Sequence, residues 1–568
     1  MKKILLLLLL IFSIILYGCG SENRQFDAFT DSVFEEALMG NTLNLHFLIA
    51  DTSDIAPYKV SLGDFSEKSF KNASISLKSQ IKELNSFKYQ NLSNDRQFTY
   101  QILSAHYKDE LKYNDNFYMN EYLSFSSGWQ NTLPAYLLEF KFRNKRDIND
   151  YMKILKISGN FFDSLLDFEE EKSKLGLFMN EFQADNTVLQ CNSFIKDTEN
   201  HYLISSFDDK INSAKFLSDN EKQAYIRLNK KYLDKYFFPS YKKISDTVTR
   251  LKHTSNNYGG LCNYPGGRDF YEGLVRNNTG SDKSVDEIED LLEDALADDF
   301  LKISRILKSE KDISGLFASY DKGYVHRTDI LPNLYIDMQK IFPEPVIHSD
   351  SYRLETVPEI MENYEAPAYY MIPPIDSIGD NVIYINNKYY PDEDMSRLIP
   401  VMAHEGFPGH MYQTTYFRSM NPPNIRLLLS FPGYTEGYAT YVETLSYYIA
   451  GFDKQAADYL AANTTFSLEL YSLFDIYANY DGKSFKDILK IGIGFGMDTD
   501  SVLSIYQYVI DNPCNYLRYS VGYLEIQELK SEYKKYHRKD FSLMNFHEFL
   551  LKKGPAQFEI IRQTMQDQ

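Results

Sequence analysis

A chain of 568 residues with one tryptophan, four cysteines and ten histidines has few ways to do redox or metal chemistry. No Cys-x-x-Cys pair occurs, so a thiolate metal knot is excluded. Beyond Cys19 only Cys191, Cys262 and Cys514 remain, an odd number that cannot form a full disulfide set in an exported chain. They read as structural thiols, with one bridge or none. Cations are also short: 60 Lys and Arg face 79 Asp and Glu, a net charge of −19. That balance, with no phosphate-binding footprint, argues against nucleic acid as a partner. Gly492-Ile493-Gly494-Phe495-Gly496 lacks a following Lys-Ser/Thr and a clear preceding strand, so it reads as a turn or helix junction and not a phosphate loop.

Long apolar runs are missing as well. Ile4 to Leu16 is apolar apart from Ser13, but a membrane-spanning helix needs ~20 residues. Behind Lys2 and Lys3 this stretch suits the core of a signal peptide. It ends in Leu16-Tyr17-Gly18-Cys19, which resembles a bacterial lipoprotein box. Cleavage before Cys19 and lipid on its thiol are therefore expected, holding the chain on the outer, extracytoplasmic face of a membrane. Residues 1–18 are read as signal peptide and 19–28 as a tether.

From about Phe29 onward the pattern is helix after helix. Phe98, Tyr100, Ile102, Leu103 and Tyr107 recur near helical spacing, as do Ile148, Tyr151, Ile154, Leu155 and Ile157. Glu169-Glu170-Glu171 with Lys172 and Lys174 reads as a solvated helix face. Ser218 to Leu251 reads as one helix interrupted near Pro239. The turn-rich stretch from Thr254 to Gly267 marks a boundary between an N-terminal helical lobe, 29–255, and a second helical lobe, 256–568. Near Ala366–Asn386 the character changes: Pro373 and Pro374 break any helix, and Val382-Ile383-Tyr384-Ile385 reads as a strand. Its edge is a candidate for pairing with an extended peptide, with Tyr384 at the substrate. The equal alternative is a strand packed only within its own sheet.

Two of the ten histidines fall within seven positions, in Ala403-His404-Glu405-Gly406-Phe407-Pro408-Gly409-His410. Imidazole is a good zinc ligand, and a neighbouring carboxylate can act as general base on an activated water. Hydrolysis by zinc needs that combination. On a regular helix, however, a spacing of six puts the two rings roughly 120° and about 9 Å apart. Pro408 and Gly409 permit a kink or bulge that brings His410 round. A catalytic zinc typically takes three protein ligands. Glu436, on a later helix, is the best third candidate, with Glu405 as general base. Glu443, seven residues on and within ~20° on the same helix face, is placed to orient a histidine. Thr440 competes for that role.

The two segments His404 to His410 and Thr435-Glu436-Gly437-Tyr438-Ala439-Thr440-Tyr441-Val442-Glu443 together resemble the bacterial domain-of-unknown-function 885 family. Its pattern is similar to His-Glu-x-x-Pro-Gly-His followed by Glu-Gly-Trp-Ala-x-Tyr-x-Glu, with Tyr438 here replacing tryptophan. Ala368 to Pro374, Val382 to Asn386 and Tyr519-Ser520-Val521-Gly522 share the likeness. The resemblance implies kinship with helical zinc metallopeptidases and carboxypeptidases. It also favours Tyr519 as a hydroxyl aimed at a developing oxyanion, with Tyr523 one turn on at the substrate. The expected fold is mainly α: large, helical and two-lobed, with a deep cleft and a small sheet at its rim. The expected function is membrane-anchored, zinc-dependent cleavage of short peptides, with carboxypeptidase action as one form. The alternatives are a peptide- or solute-binding lipoprotein with a structural or vestigial metal site, and a zinc amidase or esterase.

Overall fold

The structure is a computed structural model that describes residues 22–52, 55–309, 326–348, 351–359, 362, 366–377, 379–390 and 394–567. The signal peptide and the lipid attachment expected at Cys19 lie outside the described residues. The fold is mainly α-helical, with one small three-stranded sheet.

Residues 22–28, read from the sequence as tether, instead form the first turns of helix 22–40. The cause is Phe26, only 1% exposed and packed edge-on against Phe87 at 5.4 Å between ring centroids. The helix Asn94–Tyr113 shows why a boundary near 255 does not separate the cores cleanly. One face carries Phe98 and Ile102 into a core otherwise built from residues 330–565. The other sends Leu103 and Tyr107 into a cluster with Phe26, Phe29 and Ile425. Residues 43–251 form their own core around the helices Lys145–Lys174 and Phe238–Leu251.

Two expectations on those helices change. The Ser218–Leu251 run continues through a π-helical turn, Leu233–Phe237, just before Pro239. The ring removes one N–H, and the wider turn absorbs the mismatch, with Phe238 N–H reaching back to Leu233 O. The charged stretch at 169–174 is only partly a solvated face. Glu169 and Lys172 are buried, and Lys172 Nζ bonds Glu121 at 2.7 Å and the carbonyl of Asn120 at 2.9 Å. Burial, then the charge of Glu121, pushes the Glu169 carboxyl up to about 8. Cys191, Cys262 and Cys514 are free.

Strands β1 (Tyr352–Thr356), β2 (Ala368–Met371) and β3 (Asn381–Ile385) lie in the order β1-β3-β2. β1 runs parallel to β3, and β2 antiparallel, with Tyr370 opposite Ile383. The strand expected to offer an edge, β3, is therefore central and paired on both sides. The edge strand that lines the cleft is β2. Five helices carry the rest: α1 (Met395–Glu405), α2 (His410–Ser419), α3 (Pro432–Ile449), α4 (Lys454–Ile476) and α5 (Asn515–His537).

Candidate metal centre

The histidine motif is a complete break between two helices. α1 ends at Glu405, and Gly406 (φ −111°, ψ −105°) and Gly409 (φ −85°, ψ −137°) turn the chain so that α2 starts at His410. The Phe407–Pro408 peptide bond is cis. Gly409 must be glycine, since a Cβ there would sit 1.9 Å from the carbonyl oxygen of His404. Tyr438, the residue standing where the family pattern has tryptophan, donates its hydroxyl to Pro408 O at 3.0 Å and pins the turn. The result places the two imidazoles edge to face, with centroids 4.8 Å apart at 85°.

Glu436 reaches them from α3 because α3 and α5 cross at bare backbone. A Cβ on Gly437 would lie 2.2 Å from the backbone of Gly522, and one on Gly522 would lie 2.0 Å from Gly433 O. This crossing sets Glu436 and Tyr519, on neighbouring turns, against the same histidines. Gly437→Ala is expected to cost about 3 kcal/mol, the upper end for overpacking a tight contact. Chemical denaturation measures it, and a loss under 1 kcal/mol would show that the crossing yields easily.

Glu436 Oε2 lies 3.5 Å from His404 Nε2 and 3.3 Å from His410 Nε2. These three side chains supply donor atoms all within 4.8 Å of one another. Behind them, Glu443 Oε2 meets His404 Nδ1 at 3.1 Å, which fixes the ring and turns Nε2 toward Glu436. Thr440 takes no part in this, for its hydroxyl bonds the Glu436 carbonyl of its own helix at 2.8 Å. Glu405 lines the same cleft, its Oε2 accepting the backbone N–H of Tyr370 in β2 at 2.8 Å. The ring of Tyr519 lies 6.3 Å from that of His404.

Two sequence candidates lie elsewhere. Tyr384 does not line this cleft but stacks on Tyr369 at 4.9 Å, a cross-strand pair that follows from the central position of β3. Tyr523, on α5, faces Thr444 of α3 and Glu469 of α4 and accepts a hydrogen bond from Gln527 at 2.8 Å; one helical turn from Tyr519 carries it off the cleft face. His348 is exposed.

The charges are strongly interlocked. Burial works to lower the His404 pKa, but bonds to Glu436 and Glu443 and the charge of Glu405 hold it well above the ordinary histidine value. Burial likewise works to raise Glu436, and the two histidines outweigh it and hold its carboxyl far below the usual range. Burial, then the charge of Glu436, keeps the Tyr519 phenol well above 10 and thus protonated. The composition, two imidazoles and one carboxylate with an outer carboxylate behind, fits a divalent cation. A cation taking His404 Nε2 must displace a proton, so its affinity should rise with pH through the His404 titration. Without a cation the sign is reversed for stability. The contribution from His404 is full below its unfolded value near 6.5 and fades as pH climbs through its raised folded value. Titration calorimetry in buffers of different ionisation enthalpy reads the released proton; affinity independent of pH would contradict this.

The cleft has a volume of about 510 Å³, and its walls come from residues between Ala366 and Pro555. They include Gln413, Arg418 and Arg426, none of which the sequence reading selected. The signal was available for the first two: they continue the helical face begun by His410, at three and eight residues on. The role of the Tyr370 N–H carries no side-chain signature and was not legible.

Together the fold and this site define a large α-helical protein with a His-His-Glu cluster at the floor of a cleft. The chain belongs to the family described as bacterial protein of unknown function (DUF885), whose model matches residues 53–565. It is similar in fold to a candidate lipoprotein from Colwellia psychrerythraea, with TM-score 0.83, 16% identity, and 96% of this chain and 99% of that one covered. A candidate lipoprotein of unknown function from Shewanella oneidensis gives TM-score 0.66 at 16% identity, with the same coverage. No curated protein matches the chain.

Proposed function

We propose that this chain is a membrane-anchored, zinc-dependent peptidase that hydrolyses short peptides, with carboxypeptidase action as one form. The observation that carries the reading is the convergence of His404, His410 and Glu436 within 4.8 Å, beside the Glu405 carboxylate in one cleft. Zinc held by these three residues would supply Lewis acidity, lowering the pKa of water and polarising a carbonyl. Glu405 takes the proton of the attacking water and passes it to the leaving amine, held in position by the Tyr370 N–H. Tyr519, kept protonated, donates its hydroxyl to the oxyanion as it develops. Glu443 keeps His404 in one tautomer and orientation. The cleft-side edge of β2 offers main-chain groups other than the Tyr370 N–H to an extended peptide alongside Glu405.

Lipid attachment at Cys19 belongs to the same proposal. The signal-like start of the sequence and the two similar structures described as candidate lipoproteins support it. Among the described residues no helix is long and apolar enough to cross a membrane.

The test is a metal assay followed by digestion of an unlabelled peptide library read by mass spectrometry. One zinc per chain and cleavage of short peptides are expected. Zinc without cleavage of any peptide would sink the peptidase reading and leave a binding lipoprotein or a zinc amidase or esterase.

A further inference from the structure

Away from the histidine pair, the cleft is lined by buried hydrogen-bond donors, two of which lack an acceptor. Gln413 and Arg418 continue the α2 face from His410, and Arg426 follows on the short helix Asn424–Leu428. All three are more than nine-tenths buried, at 3%, 9% and 4% exposure. Gln413 Nε2 and Arg426 Nε have no hydrogen-bond partner. Part of each guanidinium has a structural task. Arg418 Nη1 donates to the carbonyls of Pro373 and Pro374 at 2.8 and 3.1 Å. Arg426 Nη2 donates to those of Lys553 and Pro555 at 2.8 and 3.0 Å, while its plane sits over Phe98 and Phe417.

Those bonds are to neutral carbonyls and bring no acid into contact with either guanidinium. Among the described residues no carboxylate lies within 4.0 Å of either guanidinium, and the charge of Asp376 reaches Arg418 only from farther off, in a chain with a net charge of −19. A buried cation without an acid partner is costly, and so is a buried donor left unpaired. Two guanidiniums and a carboxamide N–H facing one cleft suit an acceptor-only group with two oxygens. Distance supplies the rest. Arg418 lies eight residues past His410, about 12 Å along α2. Extended peptide rises ~3.3 Å per residue, so a tail of a few residues covers that span.

We infer that this end of the cleft binds the C-terminal carboxylate of a short peptide and makes the protein act from that end. The assignment rests on the peptidase reading for its substrate class, but not for its test. Binding of N-acetyl-tetraalanine, of its C-terminal amide, and of an amide carrying an internal glutamate is measured calorimetrically on the Glu405→Gln protein with zinc present. The free acid should bind about 10–100-fold tighter than the plain amide, the range for hydrogen bonds to a charged group. Arg418→Gln should abolish that preference. Because Arg418 also ties down the Pro373-Pro374 segment, Gln413→Leu provides the second arm. It removes a donor that bonds nothing, so the melting temperature should hold while the preference falls several-fold.

Equal binding of acid and amide, or binding of neither, overturns the inference. So does a preference that survives both substitutions, or a glutamate-containing amide that binds as tightly as the free acid. Turnover by the unsubstituted protein is read separately. Acid-selective binding without cleavage would sink the peptidase reading and leave the carboxylate site standing.

Discussion

Glu405→Gln should leave zinc content unchanged and lower kcat on a cleaved peptide by about 10²–10⁴-fold, the range supplied by a positioned general base. The substitution is clean for a structural reason. Glu405 Oε2 accepts the Tyr370 N–H, and the amide oxygen of glutamine can accept the same bond, so β2 stays in place. What glutamine cannot do is take a proton from water. If Glu405 only anchored the strand, the variant would keep its rate, and steady-state kinetics with metal analysis on one preparation separates the two cases. KM should change little, because the substitution removes an interaction made in the transition state.

His410→Ala should cost more metal affinity than any change behind the ligands. Removing an outer partner of a ligating histidine typically costs about 10–100-fold, and that is the expectation for Glu443→Gln. Losing His410 itself should exceed the upper figure, since Glu436 and His404 then remain as the only two donors of the cluster. Competition against a chromophoric chelator measures both variants together. Equal losses would mean that His410 is not a ligand and that its approach to Glu436 at 3.3 Å is only an ion pair.

Much of this site was legible in the sequence because its chemistry is carried by side chains in two short segments. His404, His410 and Glu436 do converge, and Glu443 does face His404, as the seven-residue spacing on one helix suggested. The geometry that allows this was less legible. Helical spacing suggested a kink, whereas a helix ends at Glu405 and another begins at His410, an outcome set by contacts such as Tyr438 with Pro408. Tyr384 shows the limit more sharply. An apolar run identifies a strand but not its neighbours, and β3 proved central, flanked by β1 and β2. Tyr523 failed for a related reason, since i, i+4 spacing alone does not show where a curved cleft wall ends. The mainly α fold was readable from periodicity. The sharing of helix Asn94–Tyr113 between two cores was not, because each face of that helix is apolar enough to suit either.

The most direct test of the whole account is anomalous diffraction at the zinc edge from crystals of the full chain grown with zinc. The account predicts one strong peak per chain, about 2.0–2.1 Å from His404 Nε2 and His410 Nε2 and about 2.0–2.2 Å from a Glu436 oxygen. No peak there under saturating zinc, or a peak held by other residues with Glu436 still paired to both imidazoles, would contradict it.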